Sequence, residues 1–151
     1  MSDFQFLDVG VLRDDDLELV LVRTADADPE KGYVPAYFFE MKVEGVPAGN
    51  LSFRAQTTPL LEQVGGHLGY DVHEAFRGNH LAERSCRLIV PLVKRHGFQE
   101  IVLTCNPDNA ASYRTCERLG AVYGGIVDVP EDHEMWLKGE KIKRRYVWRL
   151  S

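Results

Sequence analysis

The sequence predicts a single α/β (α+β) domain over residues 1–151, built on a mixed sheet with helices packed against it. Three observations carry this. A length of 151 residues with 44% hydrophobic and 27% charged side chains is ordinary globular usage for one domain. Apolar residues recur with a period of two in some stretches and of about 3.6 in others, in the order β, ββ, β, α, β, α, ββ. The two helical stretches run into Gly97 and Gly120, the residue type that most easily ends a helix.

Taken in order, Leu17–Arg23 alternates as a first strand behind Asp14-Asp15-Asp16. Residues 24–36 are polar, with two prolines and a glycine, and read as a loop or one short helical turn. A hairpin follows: Phe39, Met41 and Val43 alternate with charged residues, Gly45-Val46-Pro47 makes the turn, and Leu51 and Phe53 return. Residues 55–66 form a connection rich in Thr, Pro and Gly. His67–His73 is strand-like, with Leu68, Tyr70 and Val72 on one side. From Asn79 to His96 apolar residues recur at three and four, which marks an amphipathic helix kinked at Pro91. Glu100–Cys105 is apolar on both faces, as a central strand is. If it runs parallel to 67–73, the connection must be a right-handed crossover. Asn106–Asn109 is a turn and helix start, and Ala110–Leu119 is the second helix. Ala121–Val129 and Ile142–Leu150 are the last strands, with an acidic loop (Glu131, Asp132, His133, Glu134) between them.

Charge narrows the function. The net charge is −5. Residues 1–50 hold 4 basic and 11 acidic side chains, net −7, which leaves +2 for the remainder. Clustered cations for phosphate backbones are missing, so nucleic acid is not an expected partner. The one dense basic run, Lys141-Ile-Lys-Arg-Arg145, reads as the charged face of an edge strand. No stretch approaches the roughly 20 apolar residues that cross a bilayer, and no signal peptide is visible, so no membrane association is expected. Three cysteines without metal-ligand spacing predict a reducing, cytoplasmic setting.

Two segments carry chemistry. In Asp71-Val-His-Glu-Ala-Phe-Arg77-Gly78-Asn79-His80-Leu81-Ala82 a strand gives way to a helix. A helix start leaves about four backbone N–H groups unpaired and a partial positive charge. With Gly78 for the turn and Arg77 for charge, it suits an anion such as a pyrophosphate, although a glycine there is most often only a turn. In Asn106-Pro-Asp-Asn109-Ala-Ala-Ser112-Tyr113-Arg-Thr-Cys116-Glu117-Arg-Leu119-Gly120-Ala121, either asparagine serves equally as a helix cap or a ligand contact.

Together the two segments resemble the GNAT acyltransferase superfamily. Arg77-Gly-Asn-His80-Leu-Ala82 is similar to its Arg/Gln-x-x-Gly-x-Gly/Ala acyl-CoA motif, and Asn109, Ser112, Glu117, Gly120 and Ala121 meet the later Asn-x-x-Ser/Ala and Glu-x-x-Gly pattern. Gly66-His-Leu-Gly-Tyr70 looks like the fourth strand of the branch holding N-terminal protein and small-amine acetyltransferases. The resemblance implies a GNAT fold with a mixed central sheet of about seven strands, flanking helices and an abbreviated N-terminal helical region. It implies acetyl-CoA as acyl donor, no metal, and direct attack of a primary amine on the thioester. In the family the pantetheine arm lies between two splayed strands, here Tyr70–His73 and Ile101–Cys105. Backbone near Val72 and His73 would bond its amides, N–H groups of Gly78, Asn79, His80, Leu81 and Ala82 with Arg77 would hold the pyrophosphate, and Asn106, Asn109 and Ser112 would complete the site. Val72 would polarise the thioester carbonyl.

Three departures stand out. His80 replaces the usual glycine: it crowds the pyrophosphate, helps bind it, or points outward. Cys116 stands where many members have a tyrosine that protonates the leaving thiolate; it reads as an acid or as a small apolar residue against the sheet, and Tyr113 one turn earlier is a substitute. Residues 24–36 are too short for the two helices that usually wall the acceptor. For the base that deprotonates the acceptor amine, Asp71 and His73 rank first; His67 shares their face by strand alternation. The acidic first third favours a cationic acceptor. A homodimer through C-terminal strand edges is a family analogy. The alternative reading is a non-catalytic acyl-CoA-binding sensor or interaction module. A phosphate-transfer loop is disfavoured because no Gly-Lys-Ser/Thr follows Gly78.

Overall fold

A computed structural model of the chain describes residues 4–150. It falls into two compact units. One comprises residues up to Thr57 together with Leu68–Phe98, and the other Thr58–His67 together with residues from Gln99 onward.

The first unit is a five-stranded antiparallel sheet in sequence order: β1 (Leu12–Asp14), β2 (Leu17–Ala25), β3 (Ala36–Val43), β4 (Val46–Arg54) and β5 (Leu68–Val72). Alternation sends Leu17, Leu19, Phe39, Met41, Leu51 and Phe53 to one face, where all are buried. Helix α1 (Leu81–Arg95) covers that face with Leu81, Ile89, Leu92 and Val93. It runs unbroken through Pro91, which is exposed, so the lost N–H bond falls on the solvent side.

Three features depart from the expectations. β1 adds a strand to the expected seven; three residues are too few to show a period. Its turn to β2 is Asp15-Asp16, with Asp15 at φ 54°, and Arg84 of α1 gathers the acidic corner, bonding the carboxylates of Asp14 (2.9 Å) and Asp16 (2.7 Å) and the Asp14 carbonyl (2.7 Å). The β3–β4 turn is Glu44-Gly45, both at positive φ as a two-residue hairpin turn requires, while Val46 and Pro47 already belong to β4. Of residues 24–36, Thr24 and Ala25 extend β2 and Ala36 opens β3; residues 26–35 between them form an irregular loop closed by the bridge between Asp28 and Tyr33.

The second unit is a three-stranded antiparallel sheet in the order β6 (Glu100–Cys105), β8 (Ile142–Arg149), β7 (Val122–Asp128). Helix α2 (Ala110–Arg118) packs on β6 and β8, and Leu61–Gly65 coils as a π-helical turn inside the stretch expected as a plain connection. The acidic loop contains a short helix, α3 (Glu134–Leu137), capped by His133. The basic run is corrected: it opens β8, which is the middle strand and not an edge. β7 is an edge, and a register break between Tyr123 and Ile126 interrupts the ladder that a second strand would need. Among the described residues every strand pair is antiparallel, so the conditional parallel crossover does not arise in either sheet. No described helix is long and apolar enough to cross a membrane.

The first unit closes on an aromatic knot. The fully buried Tyr37 hydroxyl accepts from the Leu7 N–H (2.8 Å) and meets His96 Nε2 at 2.7 Å, with the rings of Phe4, Phe6 and Phe53 within 6 Å of Tyr37 or His96. Burial holds the His96 pKa below its usual value, and the neighbouring Arg95 charge adds to this. An unfolded chain therefore takes up this proton first, so the contribution of His96 is complete above about pH 6.5 and fades as pH falls toward the folded value. Urea unfolding between about pH 7.5 and about pH 5.5 should show the wild type losing stability on acidification and His96→Gln losing less of it. Identical pH slopes would remove His96 as the cause.

Candidate active site

In the first unit, the end of β5 is fixed by its partner. The His73 N–H donates to the Ala48 carbonyl at 2.8 Å, and Gly49 pairs opposite Val72. A Cβ on Gly49 would lie 2.3 Å from the Asp71 carbonyl oxygen, so only glycine lets the strands lie this close. Backbone direction alternates along a strand, so Gly69, Asp71 and His73 address β4 while Val72, Tyr70 and Leu68 turn to the outer edge. Of the two residues expected to bond pantetheine amides, only Val72 keeps its N–H toward that edge. His73 has spent its N–H on Ala48 and its carbonyl on the Phe76 N–H (2.9 Å). Arg77 folds back so that Nε donates to the Val72 carbonyl at 3.1 Å.

The helix start is built from two left-handed residues, Gly78 at φ 91° and His80 at φ 56°. That conformation is what glycine tolerates best, and it accounts for a glycine preference at position 80. His80 adopts it with an exposed ring that does not cap the helix. The first bond into α1 runs from Arg84 N–H to the His80 carbonyl, so the Leu81 and Ala82 N–H groups have no intrahelical acceptor. Asn79 Nδ2 is tied to the Phe76 carbonyl at 3.1 Å. The donor set of uncapped N–H groups beside a guanidinium fits an anionic group such as a pyrophosphate. Asp71 and His73 are both exposed; Asn50 Nδ2 lies 3.5 Å from Asp71 Oδ2.

In the second unit, His67 is not on the strand with Asp71 and His73. It is buried against β6: its N–H donates to the Val102 carbonyl (2.8 Å), and its Nδ1 accepts from the Val102 N–H (2.9 Å). Gly66, at φ 71°, lies so close to β6 that a Cβ would stand 3.2 Å from Thr104 N, and Thr104 Oγ1 donates to the Val64 carbonyl (2.8 Å). Segment 64–67 thus serves as a pseudo-strand, with an imidazole in place of one carbonyl.

The expected residues around α2 are largely committed to the protein. Asn109 caps the helix, its Oδ1 accepting from the Ser112 N–H at 3.2 Å. Asn106 Oδ1 accepts from Lys143 Nζ at 2.7 Å, and Lys143 also reaches Glu140 Oε1 at 2.7 Å. That ammonium holds the Glu140 carboxyl below its usual range. Cys116 is fully buried, whereas Tyr113 is half-buried beneath the Arg144 guanidinium. Cys105 is buried too; burial pushes its thiol up, against a hydrogen bond from Ser112 and the charges of Arg144 and Lys143. Cys86, Cys105 and Cys116 are thiols, none of them in a disulfide. Among the described residues no group of three or more His, Cys, Asp and Glu is placed to hold a metal. Sequence reasoning missed Arg144, Lys143 and Tyr146. The signal was present: Arg144 has the same parity along its strand as Tyr146, Trp148 and Leu150, the apolar face.

A family model described as acetyltransferase (GNAT) domain matches residues 10–122. No curated protein is significantly similar in sequence. Among solved structures, RimL, a ribosomal L7/L12 alpha-N-protein acetyltransferase in complex with coenzyme A, aligns with a TM-score of 0.66 at 18% identity over 92% of this chain and 97% of that one. The ribosomal-protein-S5-alanine acetyltransferase from Vibrio fischeri aligns at 0.67, with 12% identity over 93% and 97%. The microcin C7 self-immunity acetyltransferase MccE, in complex with acetyl-CoA and AMP, aligns at 0.59, with 20% identity over 76% and 61%.

The His67 bond has a measurable worth. Replacing it by Leu leaves the Val102 N–H buried without its acceptor and should cost about 1–3 kcal/mol in urea unfolding. His67→Asn puts an amide oxygen where Nδ1 was and should recover most of that loss. Equal destabilisation by both variants would show that ring packing, not the hydrogen bond, is what counts.

Proposed function

Starting from a chain that belongs to the GNAT acetyltransferase family, and so moves an acetyl group from acetyl-CoA to an amine, we propose that its acceptor is the α-amino group at the N-terminus of a protein or peptide. The observation that carries this reading is the likeness over more than nine-tenths of the chain to two solved enzymes named for acetylating ribosomal proteins, one of them as an alpha-N-protein acetyltransferase. The net −7 of residues 1–50 supports a cationic acceptor. Three buried thiols outside any disulfide suit a reducing cytoplasm.

The proposed roles follow the donors that remain available. N–H groups from Gly78 to Ala82, with Arg77 and the exposed His80 ring beside them, take the pyrophosphate. The outward N–H of Val72 bonds the acyl donor and polarises the thioester carbonyl as negative charge builds on its oxygen. Around α2, Asn109 keeps its Nδ2 for the donor while Oδ1 caps the helix, and Ser112 and Asn106 shape the approach. Asp71 or His73, exposed along one face of β5, removes the proton from the incoming ammonium, directly or through water. The neutral amine then attacks and the C–S bond breaks. For the leaving sulfur, half-buried Tyr113 is better placed than buried Cys116 to deliver a proton.

Thiol release from acetyl-CoA, measured across a panel of N-terminal peptides and small amines, tests the acceptor. Peptides should turn over with kcat/KM at least about tenfold above polyamines and aminoglycosides, a difference of about 1.4 kcal/mol; the reverse order sinks the peptide assignment. Gly78→Val forces a β-branched residue to φ 91° and should raise the KM for acetyl-CoA about tenfold or more with the circular dichroism unchanged. An unaltered KM would move the pyrophosphate elsewhere. Of Asp71→Asn and His73→Gln, the variant that removes the base should lose on the order of 10²-fold in kcat/KM near neutrality, and the other should stay close to wild type.

A further inference from the structure

Within the basic run that opens β8, Arg144 is held by phenol and ring faces. Lys143 is paired with Glu140, and Arg145 Nε donates to the Glu62 carbonyl. Arg144 meets no carboxylate among the described residues. Its Nε and Nη2 both donate to the Tyr146 hydroxyl, at 3.1 and 2.9 Å, and its plane lies 4.5 Å from the Tyr113 ring centre and 4.6 Å from that of Tyr123. The two Nη1 hydrogens and one on Nη2 are given to no acceptor among the described residues. Cys105 lies directly across the ladder, and Ser112 bonds its thiol. Tyr146 is fully buried, and with both bonds from Arg144 it accepts all it can.

A guanidinium held rigid by three tyrosines, with donors to spare and no counter-charge, is prepared for an anion. A doubly charged phosphate is ordinarily met by several cations or N–H groups. One cation in a half-dry aromatic setting suits a singly charged, weakly hydrated anion. Acetyl transfer makes such an anion. We infer that Arg144 receives the coenzyme A sulfur as thiolate while the amine displaces it. This rests on the acetyl-transfer reading above. The incoming ammonium gives one proton to the general base, Asp71 or His73, the amine lone pair forms the N–C bond, the C–S pair goes to sulfur, and the second N–H proton, lost as the amide forms, passes to water. The thiolate stays ion-paired with Arg144 until Tyr113, which lies under the guanidinium and is reprotonated from water, gives it a proton. Tyr146 is a positioning residue, since it fixes the guanidinium fork.

The test uses free CoA bound to the full chain and needs no acceptor. Thiolate absorbance is titrated against pH, with the desulfo-CoA complex as blank. The wild-type complex should ionise at least about one pH unit below free CoA, as an adjacent cation requires. Arg144→Gln should return the thiol to its free value, Arg144→Lys should keep part of the shift, and Tyr146→Phe should lose part of it. In turnover, Arg144→Gln should lower kcat about 10- to 100-fold with the KM for acetyl-CoA within threefold. An unshifted wild-type thiol, or a shift that survives in Arg144→Gln, overturns the inference. So does a raised KM that disappears with acetyl-pantetheine, which would make Arg144 a phosphate contact. A shifted thiol without transfer to any amine would sink the acetyl-transfer reading alone, and turnover with an unshifted thiol would sink this inference alone.

Discussion

The bond from the His73 N–H to the Ala48 carbonyl sets the chemistry of the first unit. It fixes the register of β5 on β4, and the strand's alternation then dictates that Val72, not His73, addresses the outer edge. Gly49 makes the register possible, since any side chain there would meet the Asp71 carbonyl. Slipping the pairing by one residue would turn every edge group inward and carry Leu68, Tyr70 and Val72 off the core face. The same bond thus secures the packing against α1 and leaves the Val72 N–H directed to the outer edge.

Beyond Val72 the chain must turn into α1 without closing over the helix start. Two left-handed residues do this, and Arg77 bends back to Val72, so charge and free N–H groups are gathered in a few residues. A left-handed non-glycine costs on the order of 1–2 kcal/mol. His80 carries that cost, which indicates that the backbone path is required even where the favoured residue is absent. The departure at position 80 therefore changes the side chain at the helix start, not the backbone geometry there.

Much of this was legible in the sequence because the physics is local. Periodicity marks Leu81–Val93 and Leu17–Leu21, glycines mark the helix ends, and Arg77-Gly78 before an apolar period marks an exposed helix start. What was not legible depends on distant partners. Nothing near His67 says that its ring will replace a carbonyl on β6, since alternation with Asp71 and His73 argues for their face. Asp14-Asp15-Asp16 shows no strand before it, because β1 is only three residues long and is held by pairing and by Arg84. Asn106 and Asn109 suggest ligands or caps equally, and only the positions of Lys143 and the Ser112 N–H decide that their oxygens serve the protein.

The basic run shows how a correct period can be misapplied. Alternation through Lys141–Leu150 was evident, but counting charges gave the run to solvent, whereas parity assigns Arg144 to the face of Tyr146 and Trp148. An arginine on a packed face must be answered by something. A carboxylate would have cancelled its charge and left a structural ion pair. Tyrosine rings and a phenol oxygen hold it without cancelling it, because ring faces and hydroxyls carry no net charge. Tyr146 takes two of the five donor hydrogens and leaves three. The hydrogen bonds to Tyr146 favour the charged guanidinium by more than partial burial disfavours it, so the cation is held in place without being cancelled. If charge of the opposite sign develops there during the reaction, a fixed, uncancelled cation needs no reorganisation to meet it.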